Sequence, residues 1–286
     1  MNGHQRDAHG ETEIEAEDGV TDQGFPADQI DTSKPHPARM YDFYLGGWDN
    51  YEVDREAAQS VIDIFPDVIP SALANREFLQ RAVRFLAQSG IRQIIDIGTG
   101  IPTSPNTHEV AQVVSPDIRV AYVDNDPIVA THAGARLTGS GNTGFFLGDV
   151  RSPRTILDHP TLGKLIDWDQ PVGLMLVAVL HFIKDEEDPA GIVAELRDAL
   201  PDGSYLVLSH TTADFHGDIF AEINKVYSKA TATLNSRPHA EVLRFFEGFD
   251  LLDPGLVQVP LWRPDSPPSA EELRSVGFYG AVAAKR

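Results

Sequence analysis

The sequence predicts an α/β fold built on a doubly wound sheet, and three observations carry this reading. Short apolar runs at 93–97, 119–123, 144–147, 172–180 and 204–209 alternate with stretches of helical periodicity. Runs that are apolar throughout suit strands buried on both faces of a parallel sheet. The chain has 286 residues and is 42% hydrophobic, enough for one large α/β domain or two small ones. Finally, the first strand leads into a glycine-rich turn at the edge where open α/β sheets take their ligands.

Taken in order, residues 1–33 are rich in Asp and Glu, with Arg6 the one basic side chain, and lack apolar periodicity. A disordered acidic tail is expected there. Residues 34–75 are expected to form an N-terminal helical cap. Within them the stretch YDFYLGGWDNY (41–51) concentrates aromatic rings around Gly46-Gly47 in a chain that is only 8% aromatic. Such a segment either seals the core or covers a ligand, and paired glycines permit the bend a lid requires. Tyr41, Asn50 and Tyr51 can each present a polar tip while their bodies stay packed.

The main domain is expected over 76–286. Apolar residues from Phe78 to Leu86 recur at helical spacing before Gly90 stops the helix, and the first strand follows. Between the fourth and fifth strands, Ile192, Val193, Leu196, Ala199 and Leu200 mark an amphipathic helix ending at Pro201-Asp202-Gly203. Helices over 214–234 and 240–247 precede two more strands, 256–262 and 278–284, for seven in all; 263–269 reads as a connecting loop.

Composition narrows the function. With 43 acidic residues against 23 basic, the formal charge is −20, which argues against coating nucleic acid or an anionic membrane. Partners are expected to be neutral, cationic or small. The absence of cysteine removes disulfides, thiolate metal sites and a cysteine nucleophile. With a polar N-terminus and no long apolar run, a soluble, cytoplasmic protein is expected. Oligomeric state is not legible.

The chemistry concentrates at strand ends. Asp96, Gly98, Thr99 and Gly100 close the first strand, where glycines let a ligand approach the backbone. A dinucleotide site would want a third glycine at Thr103 and an amide donor where Pro102 has none. Asp96 would repel a phosphate and attract an ammonium, which favours S-adenosylmethionine, a net cation without phosphates. Asp124, with Asn125 after it, ends the second strand and can accept from ribose hydroxyls; Asp149 ends the third and can accept an adenine amino group while Val150 packs on the ring. The glycine turn, Asp124 and Asp149 each also have a plain turn reading. Three acids at successive strand ends favour a site.

The fourth strand delivers Ala178 and His181 to the same edge, where His181 is a candidate general base or a local pocket-shaping residue. His210, Asp214 and His216 offer a second polar cluster. No metal is expected, because the histidines lack paired ligand spacing.

These residues, with the turn Leu200 to Ser204, resemble a class I S-adenosylmethionine-dependent methyltransferase over roughly 76–286. More narrowly, YDFYLGGWDNY (41–51), GTGIPT (98–103), YVDNDP (122–127) and LMLVAVLHF (174–182) resemble the actinobacterial S-adenosyl methyltransferase family, once catalogued as a domain of unknown function. That resemblance runs from about Pro35 onward. It implies a Rossmann-like methyltransferase sheet, mostly parallel with its last strand antiparallel, and S-adenosylmethionine as cofactor; it implies no known acceptor. The Pro102-Thr103 pair departs from the general class and agrees with the narrower family. An unidentified small-molecule acceptor is expected, and aromatic faces such as Tyr41 and Tyr51 would suit a sulfonium. The alternatives are a cofactor-sensing regulatory protein without methyltransferase activity and, less compatible with Asp96 and Pro102, a nicotinamide oxidoreductase.

Overall fold

A computed structural model describes residues 32–137 and 141–286, so nearly all of the tail expected over 1–33 lies outside the described residues. Among the described residues, three helices precede the sheet: α1 (Pro37–Tyr44), α2 (Glu52–Ile64) and α3 (Val68–Gln88). The His36 side chain caps α1 by accepting from the Ala38 amide, and Pro37 occupies the first turn, where its missing N–H costs nothing. Asp54 in the first turn of α2 accepts the Tyr51 amide at 2.9 Å.

Strands and helices then alternate: β1 (Gln93–Ile97), α4 (Thr107–Val114), β2 (Arg119–Asp124), α5 (Pro127–Arg136), β3 (Thr143–Leu147), α6 (Pro153–Leu157), α7 (Pro160–Leu165), β4 (Gly173–Val177), α8 (Pro189–Ala199) and β5 (Tyr205–Thr211). The chain continues through α9 (Gly217–Tyr227), α10 (His239–Arg244), β6 (Phe249–Leu251), β7 (Val257–Gln258), α11 (Ala270–Ser275) and β8 (Phe278–Lys285). The sheet order is β3-β2-β1-β4-β5-β8-β6, with β7 paired to β8. The first five strands are parallel, and β8 runs antiparallel against β5, β6 and β7. Because the strand order reverses between β1 and β4, the loops after these strands diverge and leave a crevice at the carboxyl edge.

Alternate strand residues feed opposite faces. Ile95, Ile97, Leu174 and Leu176 pack into one core layer, whereas Ile94, Val120, Met175, Val207 and Val282 pack into the other against α3. A third cluster, with Met40, Tyr44, Val61, Phe65, Phe220 and Tyr227, joins α1 and α2 to α9. This cluster forms the core of a cap over the sheet edge.

Several expectations change in detail. Among the described residues the sheet has eight strands where seven were expected: β6 presents only Phe249 to the core while Asp250 and Leu251 are exposed, so it lacks an apolar run. The run at 172–180 ends as a strand at Val177, and 214–234 contains the shorter α9. The expected boundary between residues 75 and 76 falls inside α3, which is one continuous helix. Its Ala72 joins the cap cluster while Phe78, Val83 and Leu86 join the sheet core, so cap and sheet share this element.

Candidate functional site

A cavity of about 720 Å³ lies at the carboxyl edge beneath the cap. That is within the roughly 300–1,000 Å³ typical of small-molecule sites. Its lining includes Asp96, Gly98, Thr99, Gly100, Asp124, Asn125, Asp149, Val150, Ala178, His181 and Tyr41. Tyr51, expected beside them, lies elsewhere: it is the N-cap residue of α2, 41% exposed, with the Arg39 guanidinium 5.5 Å from its ring centre. Asn50 is also displaced, since its side-chain amide donates to Asp42 at 2.7 Å and to the Gly47 carbonyl at 3.1 Å. Asp42 fills the space beside Gly47, where an added Cβ would meet its carboxylate at 2.0 Å. The Gly46-Gly47 segment is therefore a turn folded around Asp42.

The glycine turn is built from backbone that other residues resist. Gly98 has φ +73° and Gly100 φ +67°, both in the left-handed region. A Cβ on Gly98 would also meet Val179 Cγ2 at 2.2 Å, whereas one on Gly100 would meet nothing within 4 Å. The Gly100 amide donates to Asp124 Oδ2 at 2.8 Å, and the Asp126 amide donates to Asp124 Oδ1 at 3.0 Å. Burial nevertheless dominates, pushing the Asp124 carboxyl up to about 6. Asp96 is buried at the end of β1 and accepts from Thr107 Oγ1 at 2.6 Å; burial raises its pKa too, opposed by that bond and by the positive charge of Arg76.

Arg76 was not singled out by the sequence. It projects from α3 into the lining, donates to the Thr103 and Pro105 carbonyls, and keeps a buried Nε without a partner. Asn75 beside it donates to the Tyr41 hydroxyl at 3.0 Å, and that hydroxyl donates to the Ala72 carbonyl at 3.1 Å. Tyr41 is thus fixed to α3 while lining the cavity. His36 also lines it, with Nδ1 3.1 Å from Asp126 Oδ2.

After β4 the chain turns sharply. Ala178 adopts φ +59°, a strained value for a residue with a Cβ, and its amide is held by Ser209 Oγ at 3.0 Å. A single helical turn, 180–182, then carries His181. This imidazole, considered above as a general base or a pocket-shaping residue, lines the cavity from a buried position. It is 3% exposed, and burial, with the neighbouring His210 and Arg237, holds its pKa well below the ordinary value. Its Nδ1 accepts the Thr211 amide at 3.4 Å, so the neutral ring carries its proton on Nε2. Such a ring can shape the pocket or donate a hydrogen bond, and its burial makes it a weaker base than a free imidazole.

The second polar cluster does not assemble in the site. His210 is held neutral, its pKa lowered to about 3 chiefly by burial, and accepts from Arg237 at Nε2 over 3.0 Å. Asp214 accepts from the His239 amide and the Tyr279 hydroxyl. His216 packs on Phe65 with ring centres 4.9 Å apart. Arg237, another residue the sequence did not mark, braces the loop after β4 by donating to the Leu180 and Ile183 carbonyls at 3.1 and 2.8 Å.

The sheet order with its antiparallel β8, and a glycine turn answered by an acid at the next strand end, fit the class of S-adenosylmethionine-dependent methyltransferases that the sequence resembles. A comparison with protein families matches residues 23–286 to the S-adenosyl methyltransferase family, and the chain belongs to that family. It is an enzyme that uses S-adenosylmethionine as methyl donor. Among solved structures it is similar to a DUF574 family protein from Streptomyces avermitilis, at 43% identity and TM-score 0.86 over 90% of this chain and 100% of that one. It is also similar to a candidate methyltransferase from Thermobifida fusca, at 39% identity and TM-score 0.84 over 92% and 99% of the two chains. A methyltransferase from Anabaena variabilis, 16% identical with TM-score 0.50 over 88% and 97%, shares the fold alone. A comparison with curated proteins gives no match. Among the described residues, no helix is long and apolar enough to cross a membrane.

Proposed function

We propose that the strand-end half of the cavity binds S-adenosylmethionine and that the cap half receives a small-molecule methyl acceptor. The observation that carries this is the meeting, in one cavity, of the glycine turn with Asp96, Asp124 and Asp149. The chain's own features fit the cofactor. Among the described residues, no cationic side chain pairs with the buried Asp124, and the space above Gly100 is open. Asp96 would face the ammonium and Arg76 the carboxylate of the methionine end. Asp124 would accept from the ribose hydroxyls, with Asn125 beside it; Asp149 would accept from the adenine amino group over Val150. Gly98, Thr99, Gly100, Ala178 and Tyr41 would complete the wall.

Bound there, S-adenosylmethionine supplies a methyl carbon on a positive sulfur, so an acceptor lone pair can displace a neutral thioether. The protein's work is then largely alignment and exclusion of water. Ala178 and the 180–182 turn, braced by Arg237, set the floor; Tyr41, anchored on α3, sets the roof. The net charge of −20 supports an acceptor other than nucleic acid, and the absence of cysteine fits a cytoplasmic location.

Calorimetry with S-adenosylmethionine, S-adenosylhomocysteine and NAD tests the cofactor half: binding of the first two and not the third is expected. Incubation with labelled S-adenosylmethionine and a cell extract then tests the acceptor half. Label entering the low-molecular-weight fraction is expected; label confined to protein or nucleic acid would overturn the small-molecule reading.

A further inference from the structure

The acceptor half of the cavity has a chemical character of its own. Its walls come from α1, α2, α9 and residues 230–234, and are formed by Tyr44, Phe65, Phe220, Ile223 and Tyr227, with Phe182 opposite. Among the described residues, these cap elements contribute no charged side chain to the lining. The charged lining residues belong instead to the strand ends, the segments 149–151 and 184–187, Arg76 and His36. An ion entering the cap half would exchange water for hydrocarbon and neutral phenols, because burial raises the titration of Tyr44 well above its ordinary range and pushes Tyr227 up to about 12.

Aromatic walls favour flat partners, which can adopt offset-stacked or edge-to-face contacts. Two polar atoms add a second requirement. The Tyr44 hydroxyl and Thr233 Oγ1 are buried without a hydrogen-bond partner. The Tyr227 side chain stands close enough to that of Tyr44 for a side-chain interaction between the two to bear on the titration of both, yet the Tyr44 hydroxyl does not reach bonding geometry with it. Orphaned hydroxyls cost free energy that a ligand's own hydroxyl or carbonyl would recover.

We propose that the methyl acceptor is an uncharged aromatic ring compound bearing a hydroxyl or carbonyl, held between α1 and α9 against Phe65, Phe182, Phe220 and Ile223. This rests on the reading that the cofactor fills the strand-end half. An anionic or cationic acceptor would leave its charge unpaired in the cap half, and a purely aliphatic polyol would leave the aromatic walls unused.

The test titrates the protein, first saturated with S-adenosylhomocysteine, with 2-naphthol, naphthalene and 2-naphthoate, following intrinsic fluorescence or heat. 2-Naphthol should bind at least about tenfold tighter than 2-naphthoate, the charged probe. Ile223→Asp should weaken 2-naphthol by about tenfold or more by placing a charge in the wall. Since that variant also stresses the cap core, Tyr44→Phe provides a second measurement: it deletes the Tyr44 hydroxyl while keeping the ring and should shrink the preference for 2-naphthol over naphthalene by about threefold or more. Equal affinities for naphthol and naphthoate, no naphthol binding to the parent, or an unchanged naphthol–naphthalene ratio in Tyr44→Phe would each overturn the proposal. Failure of S-adenosylhomocysteine to bind would instead sink the cofactor reading; the same three probes, titrated into the free protein, would still judge the wall.

Discussion

The amide of Gly100 donates to the carboxylate of Asp124 across 2.8 Å, joining the turn after β1 to the end of β2. Two strands that are neighbours in the sheet thereby fix each other's loops, and Gly100 makes the bond from left-handed backbone at φ +67°. The same carboxylate that shapes the turn is the group proposed to face the ribose.

This double duty makes cofactor affinity pH-dependent. Burial pushes the Asp124 carboxyl up to about 6, so below that pH the group is protonated and loses acceptor capacity. The logarithm of S-adenosylhomocysteine affinity should rise with pH, with a slope approaching about one below pH 6, and flatten above it. In the free protein the sign is opposite: the folded state holds this proton more tightly than the unfolded state, so Asp124's contribution to stability falls as pH rises toward 6. Asp124→Asn should weaken binding at pH 7.5 by roughly 1.5–3 kcal/mol and abolish the slope. Calorimetry from pH 5 to 8 on both proteins checks this, and a slope surviving in the variant would assign the titration to another group.

Gly98 is constrained twice, by its φ of +73° and by Val179 Cγ2, which stands 2.2 Å from where a Cβ would be. Gly98→Ala should lose cofactor affinity from both causes. Adding Val179→Ala removes the contact and leaves the backbone cost of about 1–2 kcal/mol. Partial recovery in the double variant is therefore expected by titration calorimetry. Full recovery would show that backbone strain at Gly98 is unimportant.

Arg237 braces the loop after β4 from outside the cavity. Replacing it with Met leaves the Ile183 carbonyl without its donor and removes the bond to Leu180, a loss of roughly 2–4 kcal/mol in denaturant unfolding. Arg237→Lys should recover part of this, because one ammonium cannot reproduce the forked contacts. A wild-type midpoint for Arg237→Met would contradict the bracing role.

The sheet was legible because buried parallel strands leave unbroken apolar runs, as in β1 and β4. β6 was not, since a three-residue strand with one buried side chain has no such pattern. The strand-end acids were readable because they recur at corresponding places after successive apolar runs. Arg76 and Arg237 were invisible for the opposite reason: an arginine on a helix face or in a loop reads as solvated until tertiary packing buries it. His181 was visible as a residue but not as a chemical state, because its depressed pKa comes from burial beside His210 and Arg237, both distant in sequence. Tyr41 and Tyr51 were equivalent in the sequence, and only the path of α1 and the Asp42-centred turn separates them.

That separation yields a paired test of the roof. A ring facing a sulfonium stabilises the donor more than the neutral-sulfur product, so its loss should weaken S-adenosylmethionine more than S-adenosylhomocysteine. Tyr41 lines the cavity and is held there through its hydroxyl by Ala72 and Asn75. Tyr51 instead faces Arg39, whose charge is already engaged by Asp54 at 3.3 Å. Tyr41→Leu should therefore lower affinity for both ligands, with an additional loss of about 0.5–2 kcal/mol for S-adenosylmethionine. Tyr51→Leu should leave the ratio of the two affinities unchanged. Because Tyr41→Leu also frees α1 from α3, Tyr41→Phe separates anchoring from ring contact: it retains the aromatic face, so the donor-to-product ratio should stay near that of the parent even if both affinities fall. An equal loss of both ligands in Tyr41→Leu would show that this ring seals the cap without meeting the sulfur.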